Sequence, residues 1–191
     1  MENSLYDQYE QFLAEPTAYR YRRVRRLLMQ CCWPVDPLSL LEAESLIDKD
    51  PHEAERVLEH HLPAWLLSPR WHFLAEKIAL LRQDAEAEHA DRFQMHACLK
   101  GIMRTGDGSA SSPFLVTYPT DATDVIWALH LEADGHQRVR AAEGCLEIIR
   151  CGDGREVWFD CSAFAAADSA LVQDHHRAEP LQARASHERF V

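Results

Sequence analysis

A seven-residue phrase occurs twice in this chain and constrains what its C-terminal half can form. The phrase reads Ile-Met-Arg-Thr-Gly-Asp-Gly at positions 102–108 and Ile-Ile-Arg-Cys-Gly-Asp-Gly at positions 148–154. Asp-Gly next to β-prone apolar residues is a strong hairpin signal, so each copy predicts a strand that ends in a tight turn. The sequence before the first copy has helical periodicity. We therefore predict an α+β protein in which N-terminal antiparallel helical hairpins pack on a small antiparallel sheet.

The segments around the two copies complete the predicted sheet. The first copy would form a strand that ends at Thr105, followed by a Gly/Ser-rich turn over 106–112 and a second strand over 114–118. A helix over 120–131 would be inserted next, with Thr120 as its N-cap. The remaining strands are predicted near 137–141, 145–151 and 155–161.

The inserted helix carries two acidic residues where helices favour them. Asp121 and Asp124 would lie in its first turn, where the helix dipole stabilises anions. Val125, Ala128 and Leu129 would form its apolar face.

Charge determines the register of the last hairpin. A three-residue loop centred on Asp153 places Arg150 opposite Glu156. A two-residue loop would instead set Glu147 against Asp160, and like charges that face each other destabilise a sheet. We predict the first register, in which these apolar pairs also coincide: Ile148 with Trp158, and Ile149 with Val157.

The six cysteines show no C-x-x-C spacing, so a zinc knuckle is not predicted. Cys31 and Cys32 are adjacent in sequence, and the predicted register makes Cys145 and Cys161 cross-strand neighbours. In a reducing compartment we expect these thiols to be unbonded and structural.

Three helix starts in the N-terminal half use the same chemistry. Asp36-Pro37, Asp50-Pro51 and Ser68-Pro69 each place an N-cap oxygen before a proline at the first helical position. The helical pattern breaks at Gln83-Asp84. Beyond the break the predicted apolar face consists of Ala87, Ala90, Phe93 and Ala97.

A shift of 33 residues aligns two of the predicted helical hairpins. The aligned pairs are Leu38 with Trp71, Leu41 with Leu74, and Ala54 with Ala87. This pattern is similar to the tetratricopeptide repeat, whose period is about 34 residues, although Glu42 occupies the place of a small residue. Such hairpins can form a groove for a peptide, and His72 and Glu76 would face it. The alternative is that the hairpins only form a bundle that supports the sheet.

The second helix contains the only basic patch, five arginines between Arg20 and Arg26. One interpretation is a surface for nucleic acid or an acidic peptide. We favour the other, in which Val24, Leu27 and Leu28 face the core and the arginines pair with acidic side chains of the following helices. These acidic residues are Glu42, Glu44, Glu53, Glu55 and Glu59.

The overall charge narrows the choice of partners. The 191 residues include 20 basic and 31 acidic side chains, which gives a net charge of −11. Such a charge repels phosphate backbones and anionic lipids, so we expect no nucleic acid and no membrane as partners. No uncharged apolar run approaches the roughly 20 residues that span a bilayer. The acidic first ten residues are unlike a signal peptide, so we expect a cytoplasmic protein.

Catalytic and metal-binding spacings are incomplete in this chain. His52-Glu53 begins an H-E-x-x-H pattern, but its fifth position is Arg56. Glu86 and His89 form one Glu-x-x-His, whereas a di-iron bundle needs two. The Gly-Asp-Gly turns lack the Lys-Ser/Thr of phosphate loops. We therefore predict no catalytic residue, no metal site and no cofactor, with surface or partly buried positions for all eleven histidines.

Taken together, these features resemble an uncharacterised bacterial family, a domain of unknown function. The resemblance covers about 21–162 and is carried by the stretch 101–108 and by the closing strand Glu-Val-Trp-Phe-Asp at 156–160. It implies a fold and a bacterial source, but it implies no activity. The corresponding parts are a helical-hairpin part over 1–100, a β unit over 101–162 and a weakly ordered tail over 163–191, with a helix near 167–175.

Two hypotheses for function follow. The first is a non-catalytic interaction or scaffold module that holds a protein or peptide partner in the helical groove. The alternative is a small enzyme or ligand-binding protein with a site where the helices meet the sheet. That site would be formed by Arg104, Asp107, Trp158 and Asp160. The sequence leaves the oligomeric state open.

Overall fold

The structure is a computed structural model that describes residues 4–32, 35–36, 38–141 and 144–164. It is an α+β fold, as predicted, with helices first and a sheet after them. The helices are α1 Leu5–Ala14, α2 Ala18–Cys31, α3 Leu38–Leu46, α4 Pro51–His60, α5 Pro69–Leu81, α6 Ala85–Met103 and α7 Asp121–Ala128. The strands are β1 Phe114–Leu115, β2 Ala133–Ala141, β3 Gly144–Cys151 and β4 Glu156–Asp160. No helix in the described ranges combines the length and the apolar character that crossing a bilayer requires.

The predicted helix starts are confirmed where the structure describes them. Asp50 caps α4 and Ser68 caps α5, each followed by a proline in the first turn. Asp84 caps α6 by accepting a hydrogen bond from the Ala87 N–H at 3.0 Å, directly after the predicted break. Of the third start, Asp36 accepts from the Leu38 N–H at 2.9 Å, while Pro37 lies outside the described residues.

The strand predicted over 102–105 is wrong, because α6 continues through Met103. Cys98 and Leu99 lie four and three residues before Ile102, and all three side chains are at least 97% buried. Burying this face stabilises another helical turn more than the local β propensity opposes it. Helix α6 therefore crosses position 100, where the sequence suggested a boundary between two parts.

The apolar face predicted for α6 is confirmed only in part, at Ala97, which is buried, and at Ala87, which is half-buried. Ala90 is exposed and Phe93 is 55% exposed, whereas Met95 is buried. The reason is that the C-terminal half of α6 packs against several elements of the fold. Its contacts include α1, α2, α5, α7 and β1.

The sheet is mixed rather than antiparallel. Its strand order is β1-β4-β3-β2, and β1 runs parallel to β4 while the other pairs are antiparallel. Strand β1 has two residues, so the strand predicted over 114–118 ends early, at the turn that leads into α7. The register predicted for the last hairpin is confirmed, with Arg150 opposite Glu156. The Cys161 N–H donates to the Cys145 carbonyl at 2.9 Å, and both thiols are free.

The two aligned hairpins are present, but equivalent positions have different environments. Trp71 and Leu74 are buried on α5, whereas Leu38 and Leu41 on α3 are 66% and 61% exposed. The second hairpin is covered on both sides, because α5 contacts α3, α4, α6 and α7. One hydrophobic core runs from Tyr9 in α1 to Phe164 after β4 and unites both halves of the chain.

The ion pairs predicted for the basic helix are wrong. Arg22 donates to the Thr105 carbonyl at 2.9 Å and Arg25 to the Val116 carbonyl at 3.2 Å, while Arg20 pairs with Glu15. Helix α2 packs against α6, so Arg22 reaches a carbonyl just past the end of α6 and Arg25 reaches the carbonyl that follows β1, instead of the acidic helices α3 and α4. Acidic residues on α4 pair elsewhere: Glu53 with Arg56, and Glu55 with Arg82.

The cap predicted for the inserted helix needs a correction. Thr120 is the N-cap of α7, but its side chain makes no capping hydrogen bond. Asp121 is fully buried, and its carboxylate accepts hydrogen bonds from the Thr117 and Tyr118 N–H groups. These bonds stabilise the turn that precedes α7. The helix predicted near 167–175 lies outside the described residues.

Candidate functional site

A groove lies between α4, α5 and the start of α6, and we call it the acidic groove. Its cavity measures about 210 Å³. Three consecutive helices and the link between the last two supply its lining. The lining residues are Glu55, Leu58, Glu59, Trp71, Ala75, Ile78, Ala79, Arg82, Asp84, Ala87 and Asp91.

The floor of the acidic groove is apolar and is built mainly by α5. Trp71, Ala75 and Ile78 follow the helical spacing that places residues on one face. The Trp71 indole N–H donates to the Leu58 carbonyl at 3.2 Å, which holds the ring against α4. Ala75 and Ala87 have short side chains, so the space between α5 and α6 stays open above this floor.

Four carboxylates surround this floor. The Glu55 carboxylate pairs with Arg82, the single cationic side chain among the described residues of the lining. The Asp84 carboxylate caps α6, and Asp91 contacts a histidine beneath the groove. Glu59 is exposed and makes no side-chain hydrogen bond or ion pair with any described residue. The lining is therefore net negative.

The prediction that His72 faces a groove is wrong, since its side chain is 99% buried beneath the acidic groove. Its Nδ1 lies 3.2 Å from the Asp91 Oδ1, and its Nε2 lies 3.1 Å from both the Tyr9 hydroxyl and the Leu66 carbonyl. The Tyr9 hydroxyl donates to the Gln94 amide oxygen at 3.0 Å. His72 therefore positions the groove carboxylate of Asp91 and ties it to α1. The sequence analysis predicted surface or partly buried positions for all histidines, and for His72 this prediction is wrong.

Glu76 is not part of the groove lining either. Its carboxylate accepts a hydrogen bond from Arg92 Nε at 2.7 Å, and the same guanidinium also contacts Glu88. This arrangement joins α5 to α6 by an ion pair at the protein surface.

The residues of the alternative site are only partly brought together. The Trp158 N–H donates to the Gly108 carbonyl at 2.9 Å, so the loop that contains Asp107 lies along β4. Asp107 itself is exposed, and hydrogen bonds from the Ser109 hydroxyl and from the Ser109 N–H hold the pKa of its carboxyl below the usual value. Arg104 is the exposed C-cap of α6, and the Asp160 carboxylate accepts from the Ser162 hydroxyl at 2.6 Å.

A second cavity of about 170 Å³ lies between α5, α6 and α7, and we call it the α7 cavity. Arg70 and Asp124 form an ion pair in its wall, with Arg70 Nε 2.9 Å from the Asp124 Oδ1. Burial nevertheless raises the pKa of Asp124, because the lost hydration outweighs the attraction of the guanidinium. The remaining lining residues are Pro69, Phe73, Met95, Leu99 and Trp127.

Several of these residues were not singled out from the sequence. Asp91 and Arg70 carry no motif, since the side chains they contact come from distant parts of the chain. Glu55 and Glu59 did offer a signal, because their i,i+4 spacing places two carboxylates on one helix face. Within the described part of the chain, no three His, Cys, Asp or Glu side chains are grouped so that they could hold a metal ion.

Comparison of the chain with protein-family models, with curated proteins and with solved structures finds no match. The resemblance to a bacterial domain of unknown function therefore stays a prediction.

Proposed function

We propose that this chain is a non-catalytic interaction module whose acidic groove binds a basic segment of a partner protein. The observation that carries this proposal is the net-negative ring of Glu55, Glu59, Asp84 and Asp91 around an apolar floor. Apolar contact provides binding energy, and charge provides selection between partners.

The dimensions of the groove define what the segment must contain. A cavity of about 150 Å³ accommodates a benzene ring, so the groove has room for one large apolar side chain. Lysine or arginine residues on either side of that side chain would meet Glu59 and Asp91. Because Glu59 has no partner among the described residues, it can pair with an incoming cation without breaking an existing contact.

Long-range attraction supports the same choice of partner. A net charge of −11 attracts basic proteins and increases their rate of encounter. This contribution decreases with added salt, since the screening length is about 10 Å at 0.1 M. Binding should therefore weaken as salt increases.

A displayed library of random peptides, selected on the whole protein, tests the proposal directly. We expect the selected peptides to contain one large apolar residue flanked by lysine or arginine. Glu59→Lys should weaken their binding by about tenfold, which corresponds to about 1.4 kcal/mol. Glu10→Lys makes the same charge change at an exposed position of α1 and should alter binding less than twofold. Selected peptides without basic residues, or equal losses in both variants, would contradict the proposal.

The α7 cavity favours a second candidate function, the binding of a small ligand. It lies between the helical half and the inserted helix, and it combines apolar walls with a charged pair. An aromatic carboxylate fits this chemistry, because its ring could lie beside Phe73 and Trp127 while its carboxylate meets Arg70.

Saturation-transfer NMR with indole-3-acetate as the probe tests this second candidate. We expect a signal that Trp127→Ala abolishes, since Trp127 is 55% exposed and its loss leaves the core intact. Tyr19→Ala removes a 70% exposed aromatic side chain elsewhere and should leave the signal unchanged. Absence of a signal with the unmodified protein would exclude this ligand class.

A further inference from the structure

The adjacent cysteines at the end of α2 form a preassembled pair of thiols. Cys31 is the last residue of α2 and Cys32 is its C-cap. Their Sγ atoms are 3.0 Å apart, although no disulfide joins them. Cys31 is exposed and Cys32 is half-buried, so an oxidant in solution can reach the pair.

The two sulfurs have different environments. The Cys32 N–H donates to the Leu28 carbonyl at 2.8 Å, which anchors its backbone to the helix. Burial and the neighbouring Cys31 sulfur raise the pKa of the Cys32 thiol to about 11. Cys32 therefore keeps its proton, while the more exposed Cys31 is the sulfur that meets an incoming reagent first.

We propose that Cys31 and Cys32 are a reversible oxidation site, which closes a vicinal disulfide after reaction with a hydroperoxide. This inference does not depend on the function proposed for the acidic groove. It rests on the contact between the two sulfurs and on their accessibility.

The oxidation proceeds in two steps, formation of a sulfenic acid at Cys31 and closure of the disulfide with Cys32. The Cys31 thiolate attacks a peroxide oxygen, the O–O bond breaks, and the products are a sulfenic acid and an alkoxide or hydroxide ion, which takes up a proton. The Cys32 sulfur then attacks the Cys31 sulfur, the S–O bond breaks, and the Cys32 proton leaves with the hydroxyl group as water. The two thiols lose two electrons in total, and the peroxide gains them.

Backbone geometry makes this disulfide reversible. Adjacent Cα atoms are about 3.8 Å apart across a trans peptide, whereas disulfides usually join Cα atoms about 4.4 to 6.8 Å apart. A bond closed across such a short span is strained, and strained, exposed disulfides are the readily reduced ones. The pair therefore suits a switch better than a permanent crosslink.

The cross-strand pair of Cys145 and Cys161 provides an internal comparison. The Cys161 thiol is fully buried and donates to the Cys145 carbonyl at 3.2 Å. Burial raises its pKa to about 12. We expect Cys161 to react much more slowly with the same oxidant, since its thiolate is rare and its sulfur is shielded.

Mass spectrometry after limited treatment of the reduced full chain with hydrogen peroxide tests the proposal. The peptide that contains Cys31 and Cys32 should lose two hydrogens and resist alkylation, and dithiothreitol should restore both thiols. The free thiols of this peptide should disappear at least about tenfold faster than that of the buried Cys98. Cys145→Ser should leave this reaction unchanged.

Cys32→Ser provides the decisive variant, because it retains Cys31 but removes its partner. We expect Cys31 in this variant to accumulate as sulfenic and then sulfinic acid, with no loss of two hydrogens. The proposal would be overturned if the unmodified protein also accumulated sulfinic acid at Cys31. It would equally be overturned if both thiols stayed open to alkylation, or if Cys31 only formed disulfides between two chains.

Discussion

The two copies of the Gly-Asp-Gly phrase are nearly identical in sequence but lie in different structures. In the first copy, Ile102 lies in the last turn of α6 and the glycines form a loop that packs against β4. In the second copy, Ile148 lies in the middle of β3 and the glycines form the exposed tip of a hairpin. We call the first region the buried junction, which comprises 102–121, and the second the hairpin tip, which comprises 148–158.

This difference shows which parts of the phrase determine structure. The Asp-Gly turn is local, and in both copies the second glycine has a positive φ, 77° at Gly108 and 84° at Gly154. The preceding residues adopt whichever structure their neighbours stabilise. Ile102 extends a buried helix face, whereas Ile148 pairs across a sheet with Trp158. The same phrase is therefore a packed junction in one place and a simple turn in the other.

The largest expected difference between the two regions is in their response to pH. Burial raises the pKa of Asp121 in the buried junction from 3.8 to about 8, although two N–H groups donate to its carboxylate. The unfolded chain would ionise this carboxyl near pH 4, and the folded chain only near pH 8. Stability from this group is therefore present below pH 4 and lost as pH rises through 8, with a limit of several kcal/mol.

Urea unfolding at a series of pH values measures this effect. The free energy of unfolding should decrease between pH 4 and pH 8, and Asp121→Asn should remove most of that slope. The matched control at the hairpin tip is Asp153→Asn, where the exposed carboxyl has a lowered pKa because of Arg155. Parallel pH profiles for the unmodified protein and Asp121→Asn would contradict the expectation.

The first glycines of the two copies should differ next most strongly. A Cβ atom on Gly106 would lie 2.4 Å from the backbone oxygens of Ser112 and Pro113, whereas a Cβ atom on Gly152 would meet nothing within 4 Å. We expect Gly106→Ala to reduce the free energy of unfolding by about 3 kcal/mol, because the backbone at Ser112 and Pro113 would have to move away from the new Cβ atom. Gly152→Ala should change it by less than about 0.5 kcal/mol. Equal effects in thermal or urea unfolding would show that the junction is less tightly packed than described.

The second glycines should differ least, because both carry the same backbone penalty. Replacing a glycine at positive φ by alanine costs about 1 kcal/mol, and this applies to Gly108 and Gly154 alike. At Gly108 the new Cβ would also lie 2.6 Å from the Phe114 ring, which is buried. We expect Gly108→Ala to cost about 1 kcal/mol more than Gly154→Ala in urea unfolding. A reversed order would contradict this account of the buried junction.

Local interactions explain what the sequence could predict. The register of β3 against β4 and the starts of α4 and α5 depend on residues close together in the chain, and each is confirmed. The end of α6 and the parallel pairing of β1 with β4 depend on contacts between distant segments. The burial gained in these distant contacts outweighs the local sequence pattern. The predicted strand over 102–105 and the wholly antiparallel sheet were therefore wrong.

The candidate site also depends mainly on contacts between distant segments of the chain. The repeat directed attention to α5, where Trp71 and Ala75 line the acidic groove, although the residues named on that helix were His72 and Glu76. The sequence could not show that His72 faces inward, since its environment is formed by Tyr9 from α1 and Asp91 from α6. The carboxylates of the groove come from three segments, so only the folded chain shows that they surround one floor.

The order of strands in the sheet also affects how separate molecules behave when they meet. Within the described part of the chain, strands β1 and β2 form its two edges, and an unpaired edge can add a strand from another chain and begin aggregation. β1 is only two residues long, which leaves little backbone to template such pairing. β2 is longer, but it carries Asp134, His136, Arg138 and Arg140 with a single large aliphatic residue, Val139. Both edges therefore discourage uncontrolled strand addition, one by its shortness and the other by its charge.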